Sequence, residues 1–174
     1  LKINEVNSGI YVLRAATLAR YLPKIKDDNA KREFYLTDIV RLALENNEKV
    51  VTHVAPSSVL FGVNSQAELA RAAKVVYNRK RKLLMDGGVL LMDPSNTYIE
   101  DTVQVSSGAV IYPNVFLRGD TTIGQFSVIE PGCFISNTQI AEGVQVRAYS
   151  HLESSIVRAR ATVGPYARLR PESD

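Results

Sequence analysis

The sequence predicts an α/β segment, a connecting helix and a parallel β-helix of hexapeptide repeats, on three observations. Between residues 99 and 169 an aliphatic residue returns every six positions, a period that fits neither an α-helix nor a simple strand alternation. A helix-start signal lies ahead of this array, and residues 1–64 alternate between extended and helical patterns. At 174 residues the chain can hold one or two domains.

The hexapeptide array is the strongest signal. We expect its aliphatic residues to point into a narrow prism, with a small side chain and often a glycine at each corner. Two steps, ending at Ile140 and Val157, are five residues long. A β-sandwich is the alternative, but thirteen near-regular returns disfavour it. These residues are Ile99, Val105, Ile111, Leu117, Ile123, Ile129, Ile135, Ile140, Val146, Leu152, Val157, Val163 and Leu169.

The first 64 residues read as strands alternating with short helices. Extended patterns are bounded by turn residues, and the first helix is expected to stop at Pro23. Thr37 or Asp38 is expected to cap the second helix. The expected elements are strands at 6–13, 49–54 and 59–63 and helices at 15–21 and 37–46.

A capping box opens the connecting helix. The Ser65 side chain is expected to accept from the Glu68 amide while Glu68 reaches back to the Ser65 amide. The helix should run for some 20 residues, to Asp86-Gly87-Gly88. Its apolar side is expected to carry Leu69, Ala72, Ala73, Val76 and Leu83.

Composition narrows the class of protein. The chain is 45% hydrophobic and 22% charged, as in folded globular proteins. No apolar run is long enough to span a bilayer, no secretory signal is apparent, and the single Cys133 excludes an internal disulfide, so we expect a cytoplasmic protein. The net charge of +3 is concentrated in residues 65–88, a helix expected to present a solvated face and not to bind nucleic acid.

Five motifs in register with the array resemble one family. The chain is similar to the bacterial bifunctional N-acetylglucosamine-1-phosphate uridylyltransferase and glucosamine-1-phosphate N-acetyltransferase family over essentially its whole length. The chain begins without methionine and ends within the array, and we therefore expect a segment of a longer protein. The motifs are Glu5-Val6-Asn7-Ser8-Gly9, residues 29–38, Gly62-Val63-Asn64, Asp93-Pro94 to Tyr98-Ile99, and Gly164-Pro165-Tyr166-Ala167-Arg168-Leu169-Arg170-Pro171.

The resemblance implies an architecture and a pair of reactions. Residues 1–64 would be the C-terminal part of a Rossmann-like uridylyltransferase domain, 65–88 a linker helix, and 89–174 the first coils of a left-handed β-helix that forms a homotrimer. The family acetylates glucosamine-1-phosphate from acetyl-CoA. Its product, N-acetylglucosamine-1-phosphate, attacks Mg²⁺-bound UTP to give UDP-N-acetylglucosamine. Both sites would be incomplete here, so we expect this chain alone to be inactive.

Three residues carry family roles. Asn7 matches an asparagine that binds the N-acetylglucosamine moiety, although a turn asparagine before Gly9 is the alternative. Asn64 matches a magnesium ligand and substrate-site residue, and it also precedes the helix cap. Arg170 matches the arginine that holds the acceptor phosphate, although the array alone would make it a surface arginine at a corner.

Other residues depart from the family or match none of its roles. Arg32 stands where the family has a glycine. Glu5 is expected either to line the sugar pocket or to be solvated. His53 and His151 match no catalytic histidine of the family. No catalytic residue is expected within this chain. Two alternatives remain open: another sugar-nucleotide pyrophosphorylase with a regulatory β-helix, or a non-catalytic trimerisation module.

Overall fold

The computed structural model describes residues 5–56, 60 and 62–171. The chain forms two compact units that divide between Gly62 and Val63. Each unit is described by itself below.

Helices form the first unit. They are α1 (Ala15–Tyr21), a short 3-10 helix (Leu22–Lys24) that begins around Pro23, and α2 (Asp38–Glu45). Tyr21 is fully buried, and its hydroxyl donates to Glu48 Oε1 at 2.9 Å. Burial, followed by the Glu48 carboxylate, raises the pKa of this tyrosine. The small core comprises Tyr21, Ile25, Ile39 and Ala43, with Leu13, Leu18 and Leu42 packed against it.

The strands predicted at 6–13 and 49–54 are absent. Among residues 5–56 the structure describes no strand, although both predicted helices are confirmed. A strand needs a neighbouring backbone to pair with, and the described part of this unit offers none to either segment. Their apolar side chains are therefore exposed, for example Val12 at 100% and Val51 at 75%. Residues 59 and 61 of the third predicted strand lie outside the described residues.

The loop before α2 places Arg32 in a conformation that favours glycine, the residue expected there from the resemblance. Arg32 has a φ of +51°, in the left-handed region that glycine adopts without steric cost. Asn29 supports the loop through its Oδ1, which accepts from the amides of Lys31 and Glu33. Thr37 is the N-cap residue of α2, one of the two expected, but its side chain makes no capping hydrogen bond.

The second unit contains the parallel β-helix that the six-residue period predicts, and this fold is confirmed. Fourteen short strands make three parallel sheets, with four complete coils and two strands of a fifth. The strands are β1 Leu90–Leu91, β2 Tyr98–Ile99, β3 Gln104–Val105, β4 Val110–Ile111, β5 Phe116–Arg118, β6 Thr122–Ile123, β7 Val128–Ile129, β8 Phe134–Ser136, β9 Gln139–Ile140, β10 Gln145–Val146, β11 His151–Glu153, β12 Ile156–Val157, β13 Thr162–Val163 and β14 Arg168–Leu169.

Every third strand stacks in the same sheet. Sheet A contains β1, β4, β7, β10 and β13; sheet B contains β2, β5, β8, β11 and β14; sheet C contains β3, β6, β9 and β12. All thirteen predicted aliphatic residues belong to the core of the prism, where Val105, Val163 and Leu169 are only partly buried. The side chain next to each points outward and stacks on its counterpart one coil away.

The two five-residue steps lie at the same corner, between sheets B and C. They end at Ile140 and Val157, both in sheet C. Asn137 and Ser154 turn these two corners with φ of +48° and +46°, whereas Gly119 turns the longer corner one coil earlier with φ of +59°. Each five-residue step in the sequence therefore corresponds to a corner that is one residue shorter, and the strands on either side of it still stack in register.

The connecting helix, α3 (Gln66–Asp86), packs on the first coil through a side that carries two cations. Lys80 Nζ donates to the Asp101 carbonyl at 2.7 Å, and Arg81 Nη1 donates to the Thr97 carbonyl at 2.9 Å. Both side chains are buried, and Leu84 beside them joins the core of the prism. The cations thus satisfy carbonyl groups of the first coil.

The apolar side predicted for α3 was wrong. Leu69, Val76 and Leu83 are 50%, 45% and 64% exposed. The prediction assumed that apolar residues mark the buried side, but the hydrogen bonds of Lys80 and Arg81 turn an adjacent side toward the first coil. Long cationic side chains bury their aliphatic stems readily when their heads are hydrogen-bonded.

Two glycines test the close stacking of coils. A Cβ at Gly124 would lie 2.5 Å from the backbone carbonyl carbon of Ala141, whereas a Cβ at Gly164 would meet nothing within 4 Å. We expect Gly124→Ala to lower the free energy of unfolding by about 2 kcal/mol and Gly164→Ala to change it by less than about 0.5 kcal/mol. Denaturant unfolding followed by circular dichroism measures both, and equal effects would contradict this packing.

Candidate functional sites

Asn7 lies in the first unit and forms a local turn. Its Oδ1 accepts from the Gly9 amide at 3.1 Å, and its Nδ2 donates to the Tyr11 hydroxyl at 2.8 Å. Gly9 has a φ of +75°, as the turn requires. The geometry therefore shows the turn that was the alternative interpretation of Asn7. The side chain is exposed, as is that of Glu5.

Asn64 lies in the second unit, immediately before the capping box of α3. Ser65 Oγ accepts from the Glu68 amide at 3.2 Å, as predicted. Glu68 Oε2 accepts from the Asn64 amide at 2.9 Å and from Ser65 Oγ at 3.0 Å. The carboxylate thus reaches back chiefly to the Asn64 amide, whereas the Ser65 amide was the expected donor. The Asn64 amide first, and then the Ser65 hydroxyl, hold the pKa of Glu68 below its ordinary value.

The chemistry of Asn64 fits a hard divalent cation only as one ligand of several. Its side chain offers a neutral amide oxygen, which Mg²⁺ accepts together with carboxylates, phosphates and water. The neighbouring Glu68 carboxylate already takes two donors in the capping box. Among the described residues no group of three or more His, Cys, Asp or Glu side chains is placed to hold a metal ion.

Arg170 lies directly after β14, on the outer side of the fifth coil of sheet B. Its guanidinium-bearing side chain is exposed, while its backbone is held from within the prism. Ser155 Oγ, on a residue only 2% exposed, approaches the Arg170 carbonyl oxygen at 2.9 Å. The same hydroxyl lies 2.7 Å from the Glu153 carbonyl oxygen, so its single hydrogen is shared between carbonyl groups of two adjacent coils.

Two earlier coils show what a glutamate does beneath an arginine in this fold. Glu100 accepts from Arg118 Nε at 2.9 Å and from the Gly119 amide at 2.8 Å. The Gly119 amide first, and then the guanidinium, lower the pKa of Glu100. We call this arrangement a carboxylate clamp: one carboxylate binds an arginine one coil later and the amide that follows that arginine.

The second clamp lies on sheet A. Glu130 accepts from Arg147 Nη1 at 3.3 Å and from the Ala148 amide at 3.0 Å. In both clamps the pair is set by the stacking of adjacent coils, because residues one coil apart lie side by side in parallel register.

The three predicted site residues are divided between the two units. Asn7 belongs to the first unit, and Asn64 and Arg170 to the second. α3 packs on the first coil, whereas Arg170 lies in the fifth, and four strand spacings separate these coils by about 19 Å. Arg170 therefore lies four coils along the prism from the coil on which α3 packs.

Sequence reasoning missed two of the three buried hydroxyls at the corner between sheets B and C, those of Thr138 and Ser155. Thr121, Thr138 and Ser155 stack there, and the amides of Thr138 and Ser155 each approach the hydroxyl one coil earlier at 3.4 Å. Thr138 and Ser155 lie within the two five-residue steps, where the small residue comes three positions after the aliphatic one instead of four. Aligning the repeats on their aliphatic residues, and not on a strict count of six, would have found them.

The remaining candidate groups take structural positions. Cys133 is buried, which raises its thiol pKa, and its Sγ donates to the Arg147 carbonyl at 3.2 Å. His151 stacks on Phe134 with ring centroids 4.8 Å apart. His53 is exposed outside any helix or strand. Within the described residues, no helix has the length and apolar character to cross a bilayer.

Protonating Glu68 should release the Asn64 amide. Because the pKa of Glu68 is lowered, the contact is complete above the ordinary value of 4.5 and is lost only as the pH falls through the lower folded-state value. The Asn64 amide shift in NMR should therefore titrate with a midpoint below 4.5. We expect Glu68→Gln to abolish this transition and Glu48→Gln to preserve it; a midpoint above 4.5 would contradict the geometry.

Known proteins match both units of the chain in sequence. A family model described as the GMPPB C-terminal domain matches residues 94–173, which include β2 to β14. Bifunctional protein GlmU of Bdellovibrio bacteriovorus is 48% identical over 174 residues, which is 100% of this chain and 38% of that protein.

Further relatives have the same name and coverage. Bifunctional protein GlmU of Anaeromyxobacter is 41% identical over 99% of this chain and 35% of its own length, and that of Geotalea uraniireducens is 37% identical over 99% and 38%. The chain thus spans little more than a third of the relatives it matches. The resemblance seen in the sequence is confirmed: along its whole length, this chain is homologous to a segment of the bifunctional GlmU family.

Proposed function

We propose that this chain is part of an enzyme that makes UDP-N-acetylglucosamine by two transfers. Glucosamine-1-phosphate would be acetylated from acetyl-CoA, and N-acetylglucosamine-1-phosphate would then attack UTP with release of pyrophosphate. The observation that carries this proposal is the match of the whole chain, across both units, to bifunctional relatives. A cytoplasmic location follows from these substrates.

The proposal assigns the first unit to uridylyl transfer. Residues 1–64 would be the C-terminal part of the nucleotidyltransferase domain, 65–88 the linker helix and 89–174 the start of the acetyltransferase β-helix. The exposed apolar residues in the two segments predicted as strands support this assignment, because such segments are normally covered within a sheet.

Asn7 and Asn64 would serve the first of the two sites. The Asn7 amide would exchange its contact with Tyr11 for the acetamido group and hydroxyls of the sugar. Asn64 would give one oxygen ligand to Mg²⁺, which neutralises phosphate charge during nucleotidyl transfer. The Glu68 contact would hold the backbone of Asn64 in place.

Arg170 would hold the phosphate of glucosamine-1-phosphate in the acetyltransferase site. A guanidinium binds phosphate through paired, charge-assisted hydrogen bonds, and the Ser155 contact holds the main chain from which it projects. No residue of this chain is assigned to the chemical steps, so we expect the isolated chain to catalyse neither transfer.

A chimera separates the two assignments. In it, this chain would replace the matching segment of the Bdellovibrio bacteriovorus relative. Asn64→Ala should lower uridylyl transfer at least about tenfold and leave acetyl transfer within about twofold. Arg170→Met should lower kcat/KM for glucosamine-1-phosphate about 10- to 100-fold and spare uridylyl transfer. A chimera that restores neither activity, or variants that impair both equally, would refute these assignments.

We also propose that the β-helix forms a homotrimer through sheets A and B. On sheet B the rings of Tyr98, Phe116 and Phe134 stack with centroids 4.7 and 6.2 Å apart. On sheet A, Leu90 and Met92 are each 53% exposed. Two different apolar faces suit a head-to-tail contact between identical subunits, which closes into a ring.

Sheet C provides the matched control for the trimer, since its outward ladder carries the polar Gln104, Thr122 and Gln139 in its first three coils, ahead of the exposed Ile156 in the fourth. We expect this chain to run as a trimer in light scattering. Phe116→Lys should shift it to monomer, and Gln104→Lys should not. A monomeric wild type, or equal dissociation by both variants, would exclude this interface.

A further inference from the structure

The first coil is the lower edge of all three sheets, since β1, β2 and β3 have no strand beneath them among the described residues. An edge strand presents backbone groups on which another chain can add a strand, and folded proteins therefore pair, cover or charge such edges. In this chain the connecting helix α3 packs on the first coil. The contacts that α3 makes there show how the edge is treated.

Arg81 takes the place of a backbone donor at this edge. In the second coil, the Val115 carbonyl accepts from the Tyr98 amide of the coil below at 2.9 Å. Thr97 is the equivalent of Val115 in the first coil, because each directly precedes a partnered residue of β2 and β5. Among the described residues no coil lies beneath Thr97, and its carbonyl accepts instead from Arg81 Nη1 at 2.9 Å.

Lys80 takes the same part at the corner that follows. In the second coil, the Gly119 carbonyl accepts from the Thr102 hydroxyl of the coil below at 2.6 Å. Asp101 is the equivalent of Gly119 when the register of β2 and β5 is continued. Its carbonyl accepts from Lys80 Nζ at 2.7 Å. At both positions a buried cation of α3 therefore replaces a donor that the second coil receives from the first.

The same helix also extends the side-chain ladders of the prism. Leu84 belongs to the apolar core inside the prism. Tyr77 packs edge-on against Tyr98, with ring centroids 5.9 Å apart, at the end of the aromatic ladder on sheet B. The helix thus offers an inward apolar residue, an outward aromatic residue and two donors. Each coil of the prism offers groups of these kinds to the coil above it.

We propose that α3 is a cap on the base of the β-helix, and that Lys80 and Arg81 close the edge of sheet B to strand addition by a second copy of this chain. A second copy is the fitting partner because a strand edge alternates donors and acceptors and can pair with its own kind. Without the two cations, the carbonyl groups of Thr97 and Asp101 lose their donors, and pairing with another copy satisfies them again. The inference rests on α3 and the first two coils and is independent of the proposed enzyme activity.

Removing the two donors tests the cap in the 174-residue chain. The capless variant, Lys80→Met with Arg81→Met, keeps long apolar side chains but has no hydrogen to donate. The matched control, Lys74→Met with Arg79→Met, removes the same two charges from exposed positions of the same helix. In light scattering at equal concentration, the capless variant should have a mass at least about twofold above that of the wild type, because an edge contact joins at least two copies. The control should keep the wild-type mass.

Hydrogen exchange locates the contact. Ile99 is the partner of Leu117, whose carbonyl accepts from the coil below, so the backbone groups of Ile99 face the base of the prism. In the capless variant, the Ile99 amide should become more protected as the protein concentration rises. In the wild type its protection should not depend on concentration.

Three results would overturn the proposal: a folded capless variant with the wild-type mass, equal association of the capless variant and the control, or association that leaves the exchange of Ile99 unchanged. Circular dichroism checks the fold of each variant. If the capless variant does not fold, Lys80→Met alone takes its place, because it removes only one of the two contacts. A wild-type mass for that folded single variant would likewise overturn the proposal.

Discussion

Parallel backbone hydrogen bonds hold each coil of the β-helix to the next, and they place every residue beside its counterpart one coil away. This register decides what the interior, the outer faces and the corners contain. Aliphatic residues stack into one core, aromatic rings stack along sheet B, and hydroxyls stack at the corner between sheets B and C. Whether a side chain lies in the core, on an outer face or at a corner is thus determined mainly by its position in the repeat.

The same register makes departures from the repeat informative. The Val115 carbonyl in the second coil accepts from the coil below, whereas the carbonyl of its equivalent in the first coil, Thr97, accepts from Arg81 of α3. Without the second coil for comparison, Arg81 would read as an ordinary buried cation. The repeated structure supplies internal controls for its own edge, which an irregular fold does not.

Much of the second unit could be predicted because its signals are local and repeated. The thirteen inward residues, the corner at Gly119 and the capping serine at residue 65 all follow from spacing and residue type. The buried side of α3 could not be predicted this way. Lys80 and Arg81 are buried because carbonyls of the first coil accept their hydrogens, and those carbonyls lie far along the chain.

For the first unit, residue patterns determined the helices but not the strands, since a helix closes its hydrogen bonds locally and a strand needs a neighbour. The sequence by itself determined the β-helix, its core residues and the family that the chain resembles. Only the tertiary structure decided that Glu68 holds the Asn64 amide, that Lys80 and Arg81 are buried against the first coil, and that Glu153 lies beside Arg170. Those relations depend on which coils and side chains become neighbours in space, and hydrophobic periodicity carries no information about that.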